Sequence, residues 1–231
     1  MAYIYEHIRT KGYEPIHLEE HIAHLKATAI KHFGTMATVS QDVLRKSIKE
    51  ALIEGNCSPR TMNAVVVRYT SDGEMEVEAQ ETLYNRFSVR ALRPECYLRT
   101  LSGDTITDNT SAKDAIVEFH RSSHEGWAIW LNEAEEVIAI DGSSVIAVFE
   151  DEIRFSQRGQ GVEFDLAFEV LSTTKRKVSK GAIGVEELYQ AKELIVIGYE
   201  GVTAIYNYDG MLYMDIIAEK IASMIADVEN F

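Results

Sequence analysis

The chain has 231 residues, 46% of them hydrophobic and 26% charged, a balance that builds one sizeable core or two small ones and excludes a disordered protein. A formal net charge of −14 at pH 7 repels polyanions, so neither nucleic acid nor an anionic membrane is an expected partner. Cys57 and Cys96 lie far apart without metal-ligand spacing, Glu6 and Arg9 interrupt the place where a secretory signal needs an apolar run, and no segment reaches membrane-spanning length; the expected location is the cytoplasm.

In chain order, residues 3–10 (YIYEHIRT) read as a strand that turns at Lys11-Gly12. Residues 17–33 read as a helix with Ile22, Leu25 and Ala29 on one face and Gly34 as its stop. Ser40 is a capping candidate for a second helix with Val43, Ile48 and Leu52 as its apolar positions and Gly55 past its end. AVVVRYT (64–70), Ser71-Asp72-Gly73 and EMEVEAQ (74–80) carry a hairpin signal, and FSVRAL (87–92) begins another strand. A boundary near residue 85 divides the chain into an α/β domain over 1–85 and a second over 86–231.

The second part opens with a helix over 111–124, for which Ser111 is a candidate cap. A run of strands follows (WAIWL, VIAI, SSVIAVF, EIRF), broken at Asp141-Gly142 and Glu150-Asp151. Gly161 opens a helix through about Leu171; GVEELYQA is a short helix before the apolar strand ELIVIG; VTAIYN-YDG-MLY reads as a hairpin; and IIAEKIASMIADV closes the chain as an amphipathic helix. No internal repeat is visible. Mixed strands and helices in two clusters predict an α+β (mixed α/β) protein of two domains.

HLEEHIAHL (17–25) matches the H-x-x-E-H pattern of inverted zinc proteases. On a helix, His17, His21 and His24 share an arc of roughly 40–60°, a spacing that lets imidazoles one turn apart share an ion. Glu20, the would-be base, points away from that arc. The competing reading is a polar helix shoulder whose histidines cap, hydrogen-bond or face water.

The residues around it carry a third reading. YEHIRTKGYEPIHLEEHIAHLKATAIKHFG resembles the opening of the fold-type IV pyridoxal-phosphate (PLP) enzymes, which include branched-chain and D-amino acid aminotransferases and aminodeoxychorismate lyase; Tyr5-Glu6-His7-Ile8-Arg9, Gly12, Pro15, His21-Ile22, Leu25 and Phe33-Gly34 stand at its motif positions. Gly161-Val162-Glu163-Phe164 looks like the family's G-I-T-R turn, VIAIDGSSVIAV like its glutamate-bearing hairpin, and EELYQAKELIVIGYEGVTAI like its late helix-strand segment. The resemblance implies a two-domain D-amino acid aminotransferase-like fold, commonly homodimeric, and a PLP-dependent aminotransferase or lyase acting on an amino acid-type substrate.

It also implies a set of site residues. The cofactor-bearing lysine falls on Lys113, or, if the following helix is aligned without gaps, on Asp108. The phosphate arginine falls on His24, a weaker donor. Backbone N–H groups at Gly161 and Val162 and the hydroxyl of Thr203 are further phosphate contacts, opposed by the negative charge of Glu163. The family's pyridine-nitrogen glutamate falls on Ile140, with Asp141 beside it on the opposite strand face. Gly198-Tyr199-Glu200-Gly201 stands where the family supplies threonine, and Tyr5, Arg9 and Tyr199 are candidates to line a cleft. So many substitutions keep two alternatives open: a catalytically inactive relative that binds a metabolite or partner, and a metal site at His17, His21 and His24.

Overall fold

The computed structural model describes residues 2–80, 86–100, 109–123 and 126–229. The chain divides into two compact units, Met1–Arg86 with Asn109–Ser111, and Phe87–Asp108 with Ala112–Phe231.

The first unit contains β1 (Tyr3–Lys11), β2 (Glu14–Pro15), α1 (Leu18–Phe33), α2 (Gln41–Glu54), β3 (Met62–Thr70) and β4 (Met75–Gln80). Its antiparallel sheet has the order β2-β1-β3-β4. Side chains alternate along a strand, so Ile4, Glu6 and Ile8 of β1 share one face, as do Val65 and Val67 of β3. The apolar members of that face pack with Leu18, Ile22, Leu25 and Ala29 of α1 and with Leu44, Ile48 and Leu52 of α2. Leu44, not Val43, joins Ile48 and Leu52 in the core of α2; Val43 is exposed, because Leu44 lies one turn before Ile48 on the same face and Val43 stands about 100° away from it. Ser40 has the extended backbone of an N-cap without a side-chain cap bond. Gly12 is required by its place: at φ 60° it turns beside Pro59, whose carbonyl oxygen would stand 2.4 Å from a Cβ.

The second unit contains β5 (Glu95–Thr100), α3 (Ser111–Ser123, whose first residue clusters with the other unit), β6 (Trp127–Leu131), β7 (Val137–Ile140), β8 (Ser144–Val148), β9 (Glu152–Ser156), α4 (Val162–Ser172), β10 (Lys177–Gly181), a 3₁₀ turn (Val185–Gln190), β11 (Glu193–Gly198), β12 (Gly201–Ala204), β13 (Asn207–Tyr208), β14 (Met211–Leu212) and α5 (Ile216–Glu229). Two five-stranded sheets result, β10-β9-β8-β11-β12 and β14-β13-β5-β6-β7. Alternation sorts their side chains into layers. Ile146, Val148, Ile195 and Ile197 face α4 and α5, meeting Phe164, Leu171, Ile221 and Ile225. Val145, Ala147, Leu194 and Val196 face the second sheet, meeting Ile129, Leu131, Val137 and Ile140. On that sheet's far side, Ala128, Trp130 and Ala139 lie under Ile116 of α3.

Two expectations from the sequence change here. Residues 87–92 make only an isolated bridge, Val89 with Val202; Pro94 has no N–H to give to a ladder, and regular pairing starts past it at β5. The late hairpin is confined to β13 and β14, while β12 pairs with β11 in the other sheet.

Candidate functional site

The second unit carries a pocket of about 70 Å³. Its floor is the turn between β11 and β12: Gly198, Tyr199 and Glu200, then Gly201 and Thr203, with Ser143, Trp127 and Arg90 as walls. The strand-like segment before β5 is tied to β12 by Arg90 N–H to the Val202 carbonyl (2.8 Å) and by Val202 N–H to the Ser88 carbonyl (3.1 Å). Gly201, at φ 121°, makes this approach possible, since a Cβ there would stand 2.4 Å from the Ser88 oxygen. Arg90 reaches Glu200 through one terminal nitrogen, and its Nε is buried without an acceptor among the described residues. Burial, and then the charge of Glu200, push the Tyr199 hydroxyl up to about 12, so it is a neutral donor at ordinary pH.

Ser143 is followed by Ser144, whose Oγ donates to the Gln160 carbonyl and accepts the Gln160 N–H, both at 2.8 Å. This pair of bonds fixes the approach to Gly161, the N-cap of α4 at φ 119°, where a side chain would meet nothing within 4 Å. Glu163 and Asp165 stand in the first turn of α4. Ser144→Ala leaves both Gln160 groups without their partner. It is expected to cost about 1–2 kcal/mol, read as a lower urea midpoint at unchanged slope; an unchanged midpoint would show that Gln160 is held otherwise.

The residues singled out from the sequence are distributed as follows. Thr203 is buried and lines the pocket. Lys113 lies in the first turn of α3, its stem so close over Gly142 (φ 74°) that a Cβ there would meet Lys113 Cε at 2.7 Å; Gly142 adjoins Ser143. Asp108 lies outside the described residues. Ile140 is fully buried among apolar neighbours, while Asp141 pairs with Arg121 of α3 at 3.1 Å. Val162 is buried at the start of α4.

His24 belongs to a different construction, in the first unit. Glu6 is buried on the face of β1 that α1 covers; His21 Nδ1 donates to one carboxylate oxygen and His24 Nδ1 to the other, each at 2.7 Å. Asn109 Nδ2 adds a contact at 3.4 Å. Burial raises the carboxyl's pKa, but the hydrogen bonds and fields of His21 and His24 outweigh it and bring it down to about 2. His17 is the N-cap of α1, at φ 51°. Among the described residues no group of three or more His, Cys, Asp or Glu is arranged to hold a metal ion. Thus the helix-shoulder reading accounts for His21 and His24 as hydrogen-bond donors. Sequence reasoning missed Arg90, Trp127 and Ser143 as pocket residues, and the only signal was the glycine pair bracketing Tyr199-Glu200.

With this geometry in view, three solved structures are similar along nearly the whole chain. A Thermotoga maritima protein described as a branched-chain amino acid aminotransferase matches with TM-score 0.80 at 17% identity, covering 100% of this chain and 87% of its own. A Legionella pneumophila protein described as a 4-amino-4-deoxychorismate lyase matches at 0.75 and 11%, covering 97% and 90%. The PLP-bound form of a hypothetical aminotransferase from Mycobacterium tuberculosis matches at 0.75 and 13%, covering 98% and 89%. The fold is that of the fold-type IV aminotransferases. No family model matches the sequence, and no curated protein does. At these identities the likeness is one of fold, and whether this fold-type IV chain keeps its relatives' chemistry depends on its own side chains.

Proposed function

We propose that this chain is a divergent fold-type IV enzyme, an aminotransferase or lyase that holds PLP and acts on an amino acid-type substrate, with Lys113 as its amine. The observation that carries the reading is the Lys113 stem lying across Gly142, next to pocket-lining Ser143. The whole-chain likeness to PLP-dependent folds supports it. PLP, when bound, supplies an electron-withdrawing ring that stabilises a carbanion at the substrate's α-carbon.

The described residues fit the phosphate end of such a cofactor. Thr203, which lines the pocket, and the backbone N–H groups of the first turn of α4 are the donors that would suit its anion. In this reading such donors would hold the phosphate, and the Lys113 amine would attach the cofactor and carry the substrate α-proton.

One set of observations favours a second reading, a catalytically inactive relative that binds a metabolite. Buried Ile140 cannot keep a ring nitrogen protonated, Asp141 is engaged by Arg121, and His24 is engaged by Glu6. The experiment that separates the two is PLP titration followed by borohydride reduction and peptide mapping. A reduced pyridoxyl adduct on the Lys113 peptide, lost in Lys113→Ala, is the expected result. A folded protein that forms no adduct at saturating PLP sinks the enzyme reading and leaves the second.

A further inference from the structure

We propose that His120 is the positioning residue for Lys113: through Tyr97 it seats helix α3 on the sheet beneath it and so holds the Lys113 stem across Gly142. The proposal rests on the reading above, that the Lys113 amine is the reacting group, and it names what keeps that amine in place.

One face of α3 carries the docking contacts. Lys113, Val117, His120 and Arg121 share an arc of roughly 100° on the helix. A Cβ on Gly142 would stand 2.7 Å from Lys113 Cε and 2.9 Å from Val117 Cγ2, so this face lies directly on the turn between β7 and β8. His120 Nε2 meets the Tyr97 hydroxyl of β5, with the two rings 4.9 Å apart, and the imidazole meets Trp130 of β6 edge-to-face at 5.5 Å. Arg121 reaches Asp141 at 3.1 Å, and the Asp141 N–H is bonded to the Ala128 carbonyl at 2.9 Å, which ties the turn to β6.

The helix is fastened by a polar side chain where an apolar stripe ordinarily does the fastening. Phe119, the bulkiest apolar side chain of α3, is 72% exposed. The apolar cluster beneath the helix is limited to Ala128, Trp130 and Ala139, with Ile116 and Tyr97 packed against them. Among the described residues of α3 only His120 is buried, at 2% exposure. Apolar burial is non-directional, and a helix held by it alone can slide. A hydrogen bond fixes distance and angle together. Burial raises the pKa of the Tyr97 hydroxyl, so it remains protonated beside the imidazole at ordinary pH. Lys113 lies about 10 Å along the same helix face, so the register set at His120 is also the register of Lys113 over Gly142.

Hydrogen exchange and acylation of amines by acetic anhydride, both read by peptide mapping of the full chain, test this without any cofactor. His120→Leu keeps the bulk and removes the polar partner. It is expected to lower protection of the α3 amides about tenfold while β8 and β11 keep theirs, and to raise acylation of Lys113 several-fold relative to exposed Lys175. Tyr97→Phe should do the same, and the double variant no more than either single one, because both remove one contact. His120→Gln, whose amide can still bond the hydroxyl, should recover most of both losses. Unchanged α3 protection in His120→Leu and Tyr97→Phe overturns the proposal, as do fully additive effects, a loss of protection that spreads through β8 and β11, or Lys113 acylation that ignores both substitutions. If His120→Leu does not fold, Tyr97→Phe against wild type decides by the same criteria. Lys113 acylation governed by His120, with no pyridoxyl adduct in the wild type, keeps the positioning role and discards the enzyme reading; an adduct on Lys113 that forms equally fast in every variant does the reverse.

Discussion

Glu6→Ala is expected to destabilise the first unit by about 3–5 kcal/mol, the range for removing one partner of a buried charged group. The carboxylate sits on the helix-covered face of β1 and receives Nδ1–H of both His21 and His24. Without it, two imidazoles packed beneath α1 keep their donors and lose their acceptor. Glu6→Gln retains one acceptor oxygen but turns an amide N–H₂ toward the second ring, so about 1–3 kcal/mol is expected. Urea denaturation followed by circular dichroism reads both. Equal stability of Glu6→Ala and wild type would mean that the cluster breaks even against its own desolvation. The same group sets a pH dependence. Its pKa is about 2 in the folded chain against 4.5 ordinarily; because the folded value is the depressed one, the stability it contributes is present in full above about 4.5 and is lost as pH falls through about 2. Wild type should therefore lose stability over that window more steeply than Glu6→Gln, whose amide does not titrate.

Gly201→Ala is expected to cost about 2–4 kcal/mol and to dislodge the Arg90 segment, since strain and overpacking coincide. The residue's φ of 121° is one that side chains rarely adopt, and the new methyl would meet a backbone oxygen, that of Ser88, at 2.4 Å. No rotamer relieves a clash with main chain. The segment carrying Arg90 would have to retreat and break the bonds between Arg90 and Val202 in one direction and Val202 and Ser88 in the other. Gly198, its partner across the β11–β12 pairing, is the control, because a Cβ there meets nothing within 4 Å and its φ is unexceptional. Thermal melting should separate the two alanine variants, and hydrogen exchange at the Arg90 and Val202 amides should quicken only in Gly201→Ala. Comparable melting of both variants would refute this account of the turn.

How far the sequence discloses such features depends on where their signals reside. Helix α1 is legible because Ile22, Leu25 and Ala29 recur at helical spacing and Gly34 ends them; the β3–β4 hairpin is legible because Ser71-Asp72-Gly73 interrupts two β-rich runs. Strand β5 (ECYLRT) is not, since it pairs in parallel with neighbours distant in sequence and has no turn to announce it. Strand β10 (KVSKG) is an edge strand with lysines at two of its five positions, a composition that protects an edge and hides the strand. In the site, glycine positions were readable because glycine reports backbone geometry. Arg90 was not, because its meaning comes from contacts with Val202 and Glu200, more than a hundred residues later in the chain. His24 shows the opposite case: its spacing suggested a metal and the family resemblance a phosphate, and its partner Glu6 was identifiable only once strand alternation set that carboxylate under the helix.

The parallel pairing of Glu95 with Asn207 and of Cys96 with Tyr208 bears on the order in which the protein can be assembled as it is made. The four strands of the first unit are complete once Gln80 has been synthesised. The sheet holding β5 waits for β13, and at ~5–20 residues per second that interval lasts roughly ten seconds. Throughout it, the Cys96 edge of β5 has no native neighbour on its β13 side. A nascent chain of this protein therefore carries an inner strand open on one edge for much of its synthesis, a hazard of association between growing copies that the finished fold conceals.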